Sequence, residues 1–242
     1  MKTNIDLRNP YLTANKLSYK MPPIKVIVTG ATGMVGEGVL HTCLRSAEVS
    51  EVLSISRRSC GVQHPKLKEI LHADFLDLSS IAGQLIGYQA CFFCLGVSSV
   101  GMQEADYFKR THTLTLHMAE TLVSRNPGMT FCYVSGAGTD SSEKGRLMWA
   151  RVKGKTENDL MQLPFKAAYA FRPGFIKPMK GMHFTNPAYK YVNWMFPIGR
   201  ALAKGAFCTL DELSRAMLNA ALSGYEKKVL EGKDIIALGN RI

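Results

Sequence analysis

Trp149 and Lys153 stand four residues apart in "LMWARVKGK" (147–155), an indole and an ammonium with two further basic groups, Arg151 and Lys155. On a helix the two share a face, because positions i and i+4 lie over one another. The pair either takes part in chemistry or holds something that does.

A second stretch says what there is to hold. "VTGATGMVG" (28–36) follows an apolar run and opens a helix-length segment, with Gly30, Gly33 and Gly36 spaced as TGxxGxxG. In a strand–turn–helix, the first glycine permits a sharp turn and the second lets the backbone approach a pyrophosphate. The third lets the helix pack closely on the strand. Thr32, Met34 and Val35 complete the loop, and the helix N-terminus offers free N–H groups and a positive dipole end. Dinucleotide binding is the chemistry this pattern serves.

The end of the next strand bears on which dinucleotide. An acid there would bond a ribose 2′-hydroxyl, whereas arginine accommodates a 2′-phosphate. "SISRRS" supplies Arg57 and Arg58 and no acid, which favours NADP(H), with NAD the lesser option.

The elements that must position these residues alternate. Strand candidates are "KVIVTG" (25–30), "EVLSISR" (51–57), "EILHADF" (69–75), "ACFFCLG" (90–96), "TFCYVSG" (130–136) and "KAAYAFRPG" (166–174). Helices are expected from about Met34 to Ser46, over 104–125 and over 145–162. Short apolar strands separated by helices predict an α/β fold with a doubly wound parallel sheet, the Rossmann fold. Thr209 and Glu212 form a capping box for a helix ending at Gly224, and "KDIIAL" (233–238) is read as a final strand. Residues 21–242 are read as one domain, with 175–242 contributing a small substrate-side subdomain. Residues 1–20 are read as a loosely ordered extension; a transit peptide is the alternative, against which Asp6 counts.

The composition excludes several classes. No apolar run approaches the roughly 20 residues of a membrane-spanning helix. The charge of +11 is concentrated between Glu143 and Lys204, where Glu157 and Asp159 are the other acids. The cations carry no nucleic-acid motif, so an anionic cofactor or substrate is the expected partner. The six cysteines read as reduced and buried, and Cys91 and Cys94, three apart on a strand, as neither zinc nor redox ligands. No metal site is expected, since His41 and His183 have no partner that spacing identifies. A cytoplasmic location is expected.

With TGATGMVG at 29–36, "ADFLD" at 73–77, "CLG" at 94–96, "VSG" at 134–136, "WARVK" at 149–153 and "RPG" at 172–174, residues 24 to 180 resemble the short-chain dehydrogenase/reductase superfamily. The order is similar to its atypical NAD(P)-binding, epimerase-like branch, which includes the Tat-interacting protein and NmrA-like groups. The resemblance implies that Asp74, with Phe75, contacts the adenine, and that Leu95, Gly96 and Val97 line the cofactor. It implies that Ser135 orients the substrate, that Lys153 bonds the nicotinamide ribose, and that Pro173, Gly174 and Phe175 touch the nicotinamide side. A homodimer is the assembly it suggests.

The chain departs from this family at the acid. "WARVK" occupies the YxxxK position with Trp149 in place of tyrosine, and Thr111 lies where a helper asparagine is usual. A phenol with an ordinary pKa of about 10 can be brought into range by a cation; an indole, a donor only, cannot. Trp149 stacks on a ligand, donates one hydrogen bond, or plugs the cavity. Tyr133, Ser135, His112 and Tyr169 are proton carriers by type, without a geometry. Two readings follow: an NADP(H)-dependent oxidoreductase or epimerase-like enzyme with an altered site, acting on a small carbonyl or alcohol, and a non-catalytic NADP(H)-binding sensor or scaffold. The basic aromatic segment 187–204 is read as a lid over the substrate pocket rather than a membrane-surface segment.

Overall fold

The computed structural model describes residues 22–184, 196–203 and 205–241. The expected extension, 1–20, lies outside them, as does most of the expected lid; only 196–203 of that segment are described.

Seven parallel strands form the central sheet. They are β1 (Ile24–Thr29), β2 (Val49–Ser56), β3 (Leu67–Leu71), β4 (Ala90–Phe93), β5 (Thr130–Val134), β6 (Ala167–Arg172) and β9 (Val229–Glu231), in the spatial order β3-β2-β1-β4-β5-β6-β9. β7 (Phe175–Lys177) and β8 (Phe207–Thr209) pair separately, also in parallel. The helices are α1 (Met34–Arg45), α2 (Glu104–Phe108), α3 (Leu114–Val123), α4 (Met148–Gln162), α5 (Phe196–Leu202), α6 (Leu210–Ser223) and α7 (Gly232–Gly239). A π-helical turn, Lys109–Thr113, joins α2 to α3, so 104–123 runs nearly as one rod.

The period of two along β1 decides which layer each side chain joins. Val26 and Val28 enter a core with Val39, Leu40, Leu213 and Met217 of α1 and α6. Ile27 points to the other face, into a core with Leu116, Met118, Leu122 and Phe131. Both faces are therefore covered, as a parallel sheet requires. The helix after residue 209 is a main-layer element: α6 packs along α1, with Thr209 and Glu212 closing the expected capping box.

Two boundaries correct the sequence reading. "KDIIAL" is helix, not strand, because the Glu231 and Asp234 carboxylates bond each other's backbone N–H groups in a capping box that starts α7. The seventh strand is the preceding Val229–Glu231, too short for its period to show. β3 ends at Leu71, and Ala73–Phe75 form a turn fixed by the Leu76 N–H, which donates to Asp74 Oδ1 at 2.9 Å.

Leu213 is fully buried between α6 and the sheet. Leu213→Ala is expected to cost about 2–5 kcal/mol, read as a lower denaturant midpoint at unchanged slope.

Candidate functional site

The strand order reverses between β1 and β4, and the loops that leave these two strands in opposite directions open a crevice at their carboxyl ends. Gly30 turns the chain there at φ +73°, and a Cβ on it would stand 2.7 Å from the Cys94 carbonyl oxygen. The loop after β1 thus lies directly on the loop after β4. Gly36 is closer still, since its Cβ would sit 2.0 Å from the Gly30 carbonyl oxygen. Gly33 caps α1 without any side-chain hydrogen bond. The first-turn amides of Met34, Val35 and Gly36 have no intrahelical acceptor and, with the dipole behind them, suit a pyrophosphate.

Three adjoining cavities run along this crevice. One, of about 470 Å³, is lined by Gly30, Thr32, Gly33, Arg57, Arg58 and the loop from Cys94 to Gly96. A deeper one of about 200 Å³ adds Ser56, Asp74, Phe75, Val97 and Arg110. The third, of about 430 Å³, is walled by Met34, Val35, Leu95, Val97, Val134 and Ile176, with Ser135, Lys153, Pro173 and Gly174. The residues expected to hold a dinucleotide therefore meet along one cleft, with cations and an aromatic ring at one end and Lys153 at the other. The exceptions are Gly36, which lies beneath the cleft against Gly30 without lining it, and Phe175, which does not line it either. Its ring packs 5.5 Å from that of Phe207 and 6.3 Å from that of Phe196, and Ile176 takes the place facing the cleft.

At the Lys153 end, the ammonium donates to the Ser135 carbonyl oxygen. Burial holds its pKa below the ordinary lysine value, and the Glu157 charge one turn along opposes that shift. Glu157 is itself fully buried and is gripped by Arg172 Nε at 3.0 Å. Arg172 also reaches Ser141 Oγ at 2.5 Å and Glu231 at 3.1 Å, tying α4, the loop after β5 and the end of β9 to β6. The Ser135 hydroxyl donates to the Phe171 carbonyl at 3.2 Å, so presenting its proton to a ligand requires rotation. Trp149 is half-buried with its benzo edge against Gly138, and it is not among the side chains lining the cleft.

The other proton carriers are engaged elsewhere. Burial pushes the Tyr133 phenol well above its ordinary pKa. His112 shares a 2.7 Å bond with Asp159 and stacks on Phe108, while Tyr169 donates to the Tyr225 carbonyl at 3.3 Å. Thr111 is buried in the π-helical turn. Cys94 reaches the cleft, yet burial raises its thiol to about 12 and keeps it protonated. All six cysteines are free, and among the described residues no three histidine, cysteine or acidic side chains converge as metal ligands.

Two contributors were not legible in the sequence. Arg110 arrives from the π-helical turn, brought to the cleft only by the packing of the α2–α3 rod. Glu37, in the first turn of α1, is fully buried and accepts the backbone N–H groups of His183 and Phe184 at 2.7 and 2.9 Å.

Residues 26–145 match the model of the NAD dependent epimerase/dehydratase family. Fmp52-1, mitochondrial, of Aspergillus oryzae is 30% identical over 230 residues, 87% of this chain and 95% of the relative. The chain belongs to the same family as this relative, and its residues 26–145 carry the epimerase/dehydratase match. Fmp52, mitochondrial, of Aspergillus clavatus is 29% identical, over 89% of this chain and 98% of that protein. Protein HTATIP2 of Rattus norvegicus is 26% identical over 91% of both, which bears out the resemblance to the epimerase-like branch. Among solved structures, the UDP-N-acetylglucosamine 4-epimerase of Methanobrevibacter ruminantium aligns with a TM-score of 0.63 at 16% identity, covering 87% of this chain and 76% of that one. Bordetella bronchiseptica WbmF, solved with NAD+, aligns at 0.59 and 17% identity, covering 90% and 78%. The cleft is thus that of an NAD(P)-binding fold. The expected cytoplasmic location is overturned, because the fungal relatives are named mitochondrial.

Gly36→Ala should disrupt this cleft at its base. Its methyl group would overlap the Gly30 carbonyl, so isothermal titration is expected to detect no nucleotide binding at concentrations that saturate the parent protein.

Proposed function

We propose that the protein is an NADP(H)-dependent oxidoreductase acting on a small, largely apolar carbonyl or alcohol. The observation that carries the cofactor choice is the set of three guanidinium side chains, Arg57, Arg58 and Arg110, lining the adenine-ribose end of the cleft. Arginine pairs with phosphate in fork geometry and stacks over aromatic bases, so this end suits a 2′-phosphate better than a bare hydroxyl. Asp74 Oδ1, bound to its own turn, supports the adenine loop.

The apolar wall of Met34, Val35, Leu95, Val97, Val134 and Ile176 supports the substrate class. The nicotinamide, when bound, supplies a hydride to a carbonyl carbon, and the carbonyl oxygen then needs a proton. Among the described residues on that wall, Cys94, Ser135 and Lys153 carry exchangeable side-chain protons. The Cys94 thiol is too weak an acid, and the Ser135 proton is given to the Phe171 carbonyl. Lys153 is the best placed of the three, since burial already disfavours its charged form. Its ammonium would bond the nicotinamide ribose and give up a proton toward the oxygen, to be recharged by water.

A second reading, a non-catalytic NADP(H)-binding sensor, is favoured by one observation. Trp149 replaces the usual acid and turns to Gly138, away from the cleft lining. The mitochondrial naming of the fungal relatives supports a mitochondrial placement in either case.

Titration of the pure protein with NADPH and NADH tests the cofactor. NADPH is expected to bind about ten-fold or more tighter, a difference of about 1.4 kcal/mol, and Arg57→Ala with Arg58→Ala to bring the two close together. Equal affinities in the parent protein would overturn the NADP(H) assignment. A carbonyl screen with NADPH tests turnover. Where the parent turns a substrate over, reduction is expected to fall as pH rises through the lowered Lys153 pKa, and Lys153→Met to abolish it. If only Trp149→Tyr is active, the sensor reading stands.

A further inference from the structure

Arg58 is an exposed side chain, and an exposed arginine carries several rotamers whose ordering costs free energy on binding. Here it does not stand alone. Its guanidinium carbon lies 5.6 Å from the centre of the Phe184 ring, within cation–π range. Phe184 belongs to the segment after β7, more than a hundred residues away in sequence, and is itself held from beneath. Its backbone N–H donates to Glu37 Oε2 at 2.9 Å, and that of His183 donates to Glu37 Oε1 at 2.7 Å. The Glu37 side chain is 2% exposed and lies in the first turn of α1, where the helix dipole favours a negative charge. A buried carboxylate accepting two backbone N–H groups is among the stronger and more directional polar contacts.

We propose that Glu37 and Phe184 form a prop that sets Arg58 for the 2′-phosphate, making them positioning residues for cofactor choice. The inference rests on the NADP(H) reading above and deepens it. Glu37 fixes the backbone at 183–184, that backbone fixes the ring, and the ring presents the guanidinium at the rim of the cleft already lined by Arg57. The polar contacts of Glu37 and the ring contact of Phe184 go to 183–184 and to Arg58, so the effect of the prop falls on the nucleotide that carries the extra phosphate.

The experiment is the NADPH to NADH affinity ratio for the parent protein, Phe184→Ala and Glu37→Gln, with thermal unfolding of each. Phe184→Ala removes the ring and leaves Arg58 in place. It is expected to weaken NADPH by about three- to ten-fold and to leave NADH unchanged, in keeping with the size of an exposed cation–π contact and lost pre-organisation. Glu37→Gln keeps the shape but has one carbonyl acceptor for two N–H groups. It also removes a negative charge near the phosphates, which would tighten both nucleotides alike. Only a released prop would lower the ratio, and a lowered ratio is expected. A merely structural role would weaken both nucleotides together and leave the ratio unchanged, whatever the unfolding temperature does, and that outcome overturns the proposal. A parent protein that prefers NADPH and keeps its full ratio in Phe184→Ala overturns the prop alone. A parent protein with no preference removes the NADP(H) reading and the prop with it.

Discussion

The close approach of the loops after β1 and β4 is the constraint on which the functional architecture depends. The two strands are neighbours, but their connections leave to opposite sides, and the crevice exists only because the chain can cross itself there at backbone distance. Gly30 meets the Cys94 carbonyl and Gly36 meets Gly30, so strand, turn, helix and neighbouring loop are stacked with no side chain between them. The Thr29 hydroxyl, accepting the Cys94 N–H at 3.3 Å, closes the same junction. Everything that faces the nucleotide hangs from it. The amides of α1 point inward because the helix starts where Gly36 allows, and the arginines after β2 stand where the sheet twist places them.

The opposite end of the cleft is organised by charge. Lys153 carries an ammonium into a poorly solvated position, a cost that would normally expel it or strip its proton. It is retained because the Ser135 carbonyl accepts from it and Glu157 lies one turn away. Glu157 would be costly in turn without Arg172, and Arg172 is fixed by Ser141 and Glu231 as well. This chain of compensations reaches from the cleft to the last strand of the sheet. It explains why a short strand at 229–231, far from the glycine loop in sequence, bears on the Lys153 ammonium.

How much of this the sequence disclosed follows from the range of each signal. The glycine loop, the β1–β6 strands and the α6 capping box rest on local patterns of a few residues, and each appears at or near its expected place. "KDIIAL" was ambiguous because a six-residue apolar run fits a buried strand or a short helix equally well, and the deciding acid, Glu231, lies outside the run. Phe175 was expected at the nicotinamide side from its place after the RPG turn. In the fold, the β7–β8 pairing turns it toward Phe207 instead. Arg110 and Glu37 carried no signal at all. One depends on how a rod of two helices lies across the sheet, and the other on a backbone segment nearly 150 residues distant.

Trp149 joins these strands of argument. A tyrosine at that place would present a hydroxyl, and a hydroxyl needs a hydrogen-bond partner, a solvated edge or a substrate. The indole is larger and needs less, so it settles against the flat backbone at Gly138 and fills space beside the loop that Arg172 anchors through Ser141. The ring packs on the loop between β5 and α4, the loop whose first residues present the Ser135 carbonyl to Lys153. The indole, which offers no titratable proton at residue 149, thus borders the loop whose carbonyl holds the ammonium at residue 153.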